Sequence, residues 1–98
     1  MKRTFQLTAP GKDDARVRDK VRHEVNKFLK RARQRELPEG VRRWDFTCRL
    51  GADEPSAVAM AWHELGDSID REAEAGRDAV FIEIVPKPEM RTRANPVD

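Results

Sequence analysis

The chain has 98 residues, of which 38% are hydrophobic and 39% are charged, and its net charge is +2. This length allows one domain with a modest core, and the regular pattern of apolar residues excludes a wholly disordered chain. The single cysteine excludes an internal disulfide, and the longest hydrophobic run, residues 57–62, is too short to span a membrane. We therefore expect a cytoplasmic protein that does not enter a membrane.

Charge is distributed unevenly along the chain. Residues 1–49 contain 15 Lys and Arg against 7 Asp and Glu, whereas residues 50–98 contain 5 against 11. This asymmetry indicates either an acidic partner such as nucleic acid for the first half, or neutralisation of one half by the other within the fold. The sequence leaves both interpretations open.

The first half predicts a strand followed by a long helix. Residues 3–8 alternate between apolar and polar side chains, which is typical of a short strand. Between residues 12 and 36 the apolar side chains recur with a period of about 3.6, which predicts an amphipathic helix capped by an aspartate. The helix must end before Pro38, because the residue preceding a proline is pushed out of the helical conformation.

The clearest strand covers residues 43–50, where apolar and polar side chains alternate. The next segment allows two interpretations. Either an acidic residue before Pro55 caps a helix that runs to Ala75, or residues 57–63 form a strand and the helix begins only at Glu64. The alternation of small and large side chains in residues 57–63 favours the strand.

The end of the chain predicts one more strand and a tail. Residues 79–85 are rich in β-branched and aromatic side chains, which favours a strand. The prolines that follow mark residues 86–98 as a disordered C-terminal tail, so that the domain comprises residues 1–85.

This order predicts an α+β fold, the ferredoxin-like split βαβ two-layer sandwich with the element order β-α-β-β-α-β. Its four-stranded antiparallel sheet carries both helices on one face, and the last strand lies at an edge. If residues 57–63 are helical instead, the fold is a three-stranded β-α-β-α-β layer with the same core.

Five short segments together resemble a known family. They are Met1–Thr8, with the pattern M-K-x-T-F-x-L, then residues 22–27, the L-P-E-G-V turn at 37–41, the W-D-F-x-C strand at 44–48, and residues 81–84. In this order they are similar to a family of small uncharacterised bacterial proteins with a domain of unknown function. The resemblance covers residues 1 to 88 and supports a strand at 57–63, but it implies no activity.

No catalytic or metal-binding motif is present in the sequence. The H-E-x-x-H zinc motif fails at both histidines, because Lys27 follows His23 by four residues and Asp67 follows His63 by four. Cys48 lies on the apolar side of its predicted strand, where a cysteine behaves as a small hydrophobe. We predict no metal site, no cofactor and no enzymatic activity.

The basic helix is the strongest functional signal. It predicts binding of nucleic acid, RNA in particular, or of another polyanion through seven basic residues: Lys20, Lys27, Lys30, Arg31, Arg35, Arg42 and Arg43. Aromatic side chains interleaved with these cations are missing from the pattern, because five of the six (Phe5, Phe28, Trp44, Phe46 and Trp62) fall on predicted core faces. We therefore expect contacts to the phosphate backbone rather than to bases. A merely solvated face is the competing interpretation.

The last strand provides an alternative function. It is apolar on both faces, which edge strands usually avoid, so Phe81 and Val85 predict a protein partner or a homodimer at this edge. The competing interpretation is that a loop or the tail covers these side chains.

Overall fold

The computed structural model of the protein describes residues 1–90. The elements are β1 (Lys2–Gln6), α1 (Asp14–Arg33), β2 (Val41–Gly51), β3 (Val58–Met60), a 3-10 turn (Trp62–Glu64), α2 (Leu65–Glu74) and β4 (Ala79–Met90). The α+β class and the element order β-α-β-β-α-β of a ferredoxin-like sandwich are thereby confirmed. Residues 58–60 form β3, the strand that the three-stranded alternative lacked. No helix among the described residues is both long and apolar enough to cross a membrane.

The sheet is antiparallel throughout, and its strands lie in the order β1-β4-β2-β3. The prediction that the last strand lies at an edge is therefore wrong. β4 pairs with β1 on one side and with β2 on the other. Its apolar character on both faces suits this interior position.

One hydrophobic core lies between the sheet and the helices. Phe5, Cys48 and Ile82 represent the three longer strands in it, and Leu29 and Ile69 represent α1 and α2. The buried side chains of α1 follow the predicted stripe at Val21, Val25, Leu29 and Ala32. Because apolar residues recur about every 3.6 positions, one face of α1 packs on the sheet and the basic residues are directed outward.

The start of α1 follows the predicted capping. The carboxylate of Asp13 accepts a hydrogen bond from the backbone N–H of Ala15 at 3.1 Å, which satisfies one donor that the first turn leaves open. The helix is shorter than predicted, because it begins at Asp14 and its C-cap is Gln34. Residues 12, 13, 35 and 36 therefore lie outside it.

β3 ends earlier than predicted, and this changes the position of Trp62. The backbone N–H of Ala61 donates to the Glu64 carboxylate at 2.8 Å, which starts a helical turn two residues before the predicted end of the strand. Trp62 consequently leaves the strand and is 40% exposed. The prediction that it faces the core is wrong.

β4 extends into the segment predicted to be a tail, because the strand continues to Met90. Ile84 exchanges backbone hydrogen bonds with Met1, so even-numbered residues of β4 direct their N–H groups toward β1. β1 has ended by the position of Pro86 and Pro88, so their missing N–H groups cost no hydrogen bond of the sheet. The prediction of disorder is wrong for residues 86–90, and residues 91–98 lie outside the described part of the chain.

Candidate nucleic-acid interface

The seven predicted cations all lie at exposed positions, but they do not form one cluster. Lys20, Lys27 and Arg31 are spaced by seven and four residues and therefore share one face of α1. Lys30 lies on the adjoining outer side of the helix, and Arg35 follows the helix end. The face carries no ion pair among residues 1–90.

Arg42 and Arg43 lie on β2, and the guanidinium of Arg43 is paired with an acid of the neighbouring strand. The side chain of Arg43 shares the helix-free face of the sheet with Arg49, because the two are an even number of residues apart in a regular stretch of strand. Its Nε atom lies 3.0 Å from a carboxylate oxygen of Glu89 on β4. Arg43 is therefore already neutralised, which weakens its assignment to the interface.

Neutralisation between the two halves of the chain also occurs at cations outside the predicted seven. Arg18 and Arg22 of α1 each lie 3.6 Å from a carboxylate oxygen of Asp70 in α2. These two cations are directed toward the second helix, although Arg22 remains exposed. Pairing with α2 thus offsets part of the charge on this side of α1 and leaves the outer side positive.

A cleft at the C-terminal end of α1 was missed by sequence reasoning. It has a volume of about 490 Å³ and is lined by Arg33, Leu37, Arg43, Trp44, Asp45 and Trp62. The guanidinium carbon of Arg33 lies 4.2 Å from the ring centroid of Trp62 and 5.3 Å from that of Phe46. The indole N–H of Trp44 donates to the backbone carbonyl of Arg35 at 3.1 Å. Two tryptophans therefore lie directly beside the last cations of the helix.

The cleft corrects the expectation that the interface lacks aromatic side chains. Trp62 is 40% exposed, Leu37 is 41% exposed, and Trp44 is half-buried. Exposed tryptophan rings and arginine guanidinium planes both stack nucleic-acid bases. The one acid in the cleft, Asp45, accepts a hydrogen bond from the backbone N–H of Phe46 at 2.8 Å. In the sequence, the signal for the exposed position of Trp62 was Glu64. Its carboxylate caps the N–H of Ala61, three residues earlier, and this cap ends the strand before Trp62.

Cys48 is fully enclosed in the core. It is 1% exposed, and burial raises the pKa of its thiol to about 11. The thiol is therefore protonated at neutral pH, whereas a nucleophilic cysteine reacts as the thiolate. Among residues 1–90 no three His, Cys, Asp or Glu side chains lie close enough together to hold a metal ion.

The surface predicted at the last strand is largely covered. Phe81 is 5% exposed, although Val85 remains 47% exposed. The guanidinium carbon of Arg49 lies 5.7 Å from the ring centroid of Phe81, and Glu54 in the loop between β2 and β3 reaches Lys2 on β1 at 2.8 Å across the intervening β4. Neither an edge nor an exposed Phe81 therefore supports a partner at β4.

The same loop depends on a glycine. A Cβ atom at Gly51 would lie 2.7 Å from the Cα atom of Ala57, so only glycine allows this close approach of the backbone.

The hydrogen-bonded ammonium of Lys2 lowers the pKa of the Glu54 carboxyl below its ordinary value. The sheet face without helices is thus occupied by a charged network rather than by an apolar patch.

Comparison with known proteins identifies the family of the chain. It belongs to a family of unknown function (DUF6172), whose model matches residues 1–95. The resemblance to a family without assigned activity is thereby confirmed. Searches of curated proteins and of solved structures found no match. Family membership assigns no ligand, so the functional argument rests on the geometry.

Proposed function

We propose that the protein is a cytoplasmic, non-enzymatic domain that binds single-stranded nucleic acid, RNA in particular, at the C-terminal half of α1. The observation that carries the proposal is the cleft of Trp44 and Trp62 at the C-terminal end of the helix, whose last turns and following residues also bear the exposed cations Lys27, Lys30, Arg31 and Arg35. Cations that follow a phosphate backbone next to stacking rings are the usual construction of single-strand binding surfaces.

The helix period connects the outer cations to the arginine that lines the cleft. Lys27 lies one turn before Arg31, and Lys30 lies one turn before Arg33, whose guanidinium contacts Trp62. The carbonyl of Arg35 holds the indole of Trp44. A nucleic-acid strand that follows these cations therefore passes the cleft, where one of its bases can stack on Trp62 or on the guanidinium plane of Arg33.

The salt dependence of binding has an expected size. If Lys27, Lys30, Arg31 and Arg35 each neutralise one phosphate, the slope of log affinity against log salt is about −3 for a single strand. A helix C-terminus is its negative pole, which adds a preference for these cations even without a ligand. The distinction between the two roles requires a binding measurement.

The test is fluorescence anisotropy with a mixed pool of short single-stranded RNAs at several salt concentrations. We expect the double variant Lys27→Glu and Arg31→Glu to reduce affinity by roughly 100-fold at low salt and to reduce the salt slope by about 1.4, because two phosphate contacts are lost and reversed. The exposed pair Arg71→Glu and Arg77→Glu makes the same change in net charge, in α2 and just after it, where neither residue lines the cleft.

The control pair separates a local site from general attraction. Equal losses in both double variants would show that only net charge matters, and the proposed site would be wrong. Absence of wild-type binding at low salt would leave the outer face of α1 as a solvated surface. DNA and polyphosphate in the same assay distinguish RNA from other polyanions.

A further inference from the structure

The free edge of β1 is accessible to another strand. Met1 and Ile84 form a hydrogen-bonded pair, and the N–H of Leu7 donates to the carbonyl of Asp78 at 2.7 Å. Because hydrogen bonding alternates along an antiparallel strand, Lys2, Thr4 and Gln6 direct their backbone groups away from β4. No strand among residues 1–90 pairs with this side of β1.

A groove runs between this edge and the N-terminal half of α1. Its volume is about 1020 Å³, and its apolar lining consists of Phe5, Val17 and Val21. Phe5 and Val21 are buried, and Val17 is half-buried. A strand placed beside β1 would thus direct every second side chain toward an apolar helix surface.

The charges around the groove are positive once the existing contacts are subtracted. Lys12, Arg16 and Lys20 line it and carry no ion pair among the described residues. The two acids of the groove offset only part of this charge: Asp13 caps α1, and Glu24 lies 3.8 Å from Arg3, a fourth cation of the lining. The groove therefore complements a negatively charged occupant.

We propose that an extended acidic peptide segment of a partner protein adds to the sheet along β1 and lies in the groove between β1 and α1. Backbone hydrogen bonds to Lys2, Thr4 and Gln6 supply affinity, apolar side chains at alternate positions contact Val17 and Val21, and acidic side chains meet the cations. This is recognition by strand addition, in which the main chain binds and the alternate side chains select.

Two other occupants fit the charges less well. A second copy paired through β1 would bring two sets of Lys12, Arg16 and Lys20 close together, which is unfavourable without counterions. The side chains of the C-terminal residues 91–98 include two arginines and one aspartate, so their net charge is positive like that of the groove. An acidic partner segment meets neither objection.

The test begins with selection from a random peptide library of about twelve residues, with the whole protein as bait. We expect the selected peptides to carry net negative charge and alternating apolar residues. Each synthesised peptide is then measured by anisotropy against three proteins: wild type, Thr4→Pro and Thr4→Val. The N–H of Thr4 makes no bond inside the sheet, so proline removes an outward donor and blocks the edge, whereas valine retains that donor.

We expect Thr4→Pro to weaken binding by about tenfold or more and Thr4→Val to leave it within about twofold. N-methylation of the peptide gives the same information with an unchanged protein, since methyl groups at alternate residues abolish binding and those between are tolerated. The proposal is overturned if no peptide is enriched, or if the affinity of the peptide is unchanged both by Thr4→Pro and by N-methylation at alternate residues. A homodimer that Thr4→Pro dissociates, or RNA binding that it abolishes, would likewise assign the edge to another occupant.

Discussion

The two halves of α1 carry similar charge but have different neighbours. Lys12 before the helix and Arg16 and Lys20 in its first half lie beside the edge of β1 that residues 1–90 leave unpaired. Arg33 and Arg35 at its other end lie beside Trp62 and Trp44. Between them, Arg18 and Arg22 are tied to Asp70 of the second helix. One basic helix therefore provides two separate candidate surfaces, and the adjoining backbone or rings decide which ligand each can hold. Charge density alone does not distinguish them.

The largest expected effect comes from exchanging charge at one half and measuring both ligands. Lys12→Glu with Arg16→Glu is expected to weaken acidic peptide binding by roughly 30-fold, because both cations change sign, but to weaken RNA binding by no more than about threefold. Anisotropy with a selected peptide and with RNA measures both. A parallel loss of the two ligands would show that α1 is a single undivided polyanion surface.

A smaller effect tests the aromatic neighbours of the second half. Trp62→Ala is expected to reduce RNA affinity by about tenfold without changing the salt slope, because a stacking ring is lost and no phosphate contact is lost. Trp62→Phe retains a ring and is expected to lose less than about threefold. If the alanine and phenylalanine variants bind RNA equally to wild type, the cleft takes no part in binding. Peptide binding at β1 is expected to be unchanged in both.

The smallest effect distinguishes outer from inner cations of the same helix. Lys27→Gln is expected to reduce RNA affinity by about fivefold, whereas Arg22→Gln is expected to reduce it by less than about twofold, because the guanidinium of Arg22 is directed toward Asp70 of the second helix. Both substitutions remove one positive charge from α1, so net charge is matched. Titration of RNA into each variant gives the comparison. Equal losses would mean that the pairing with Asp70 does not withdraw Arg22 from the surface.

Local patterns were sufficient for most of the fold. Alternation in residues 43–50 and the period of about 3.6 in α1 depend only on neighbours in the chain, and both elements and their buried faces were predicted correctly. The extent of β4 was not predictable in this way. Pro86 and Pro88 are tolerated only because β1 has ended where their N–H groups would point, which is a property of strand pairing and not of the local sequence.

The two candidate surfaces likewise depend partly on local sequence and partly on the tertiary structure. The sequence by itself determined the element order, the core stripe of α1 and the concentration of positive charge on that helix, because each follows from the spacing of residue types. Only the tertiary structure decided that β4 lies inside the sheet and that residues 1–90 leave one edge of β1 unpaired. It also decided that Asp70 lies near both Arg18 and Arg22, and that Trp62 lies beside Arg33. These features depend on contacts between residues distant in the chain, which spacing along the sequence does not specify.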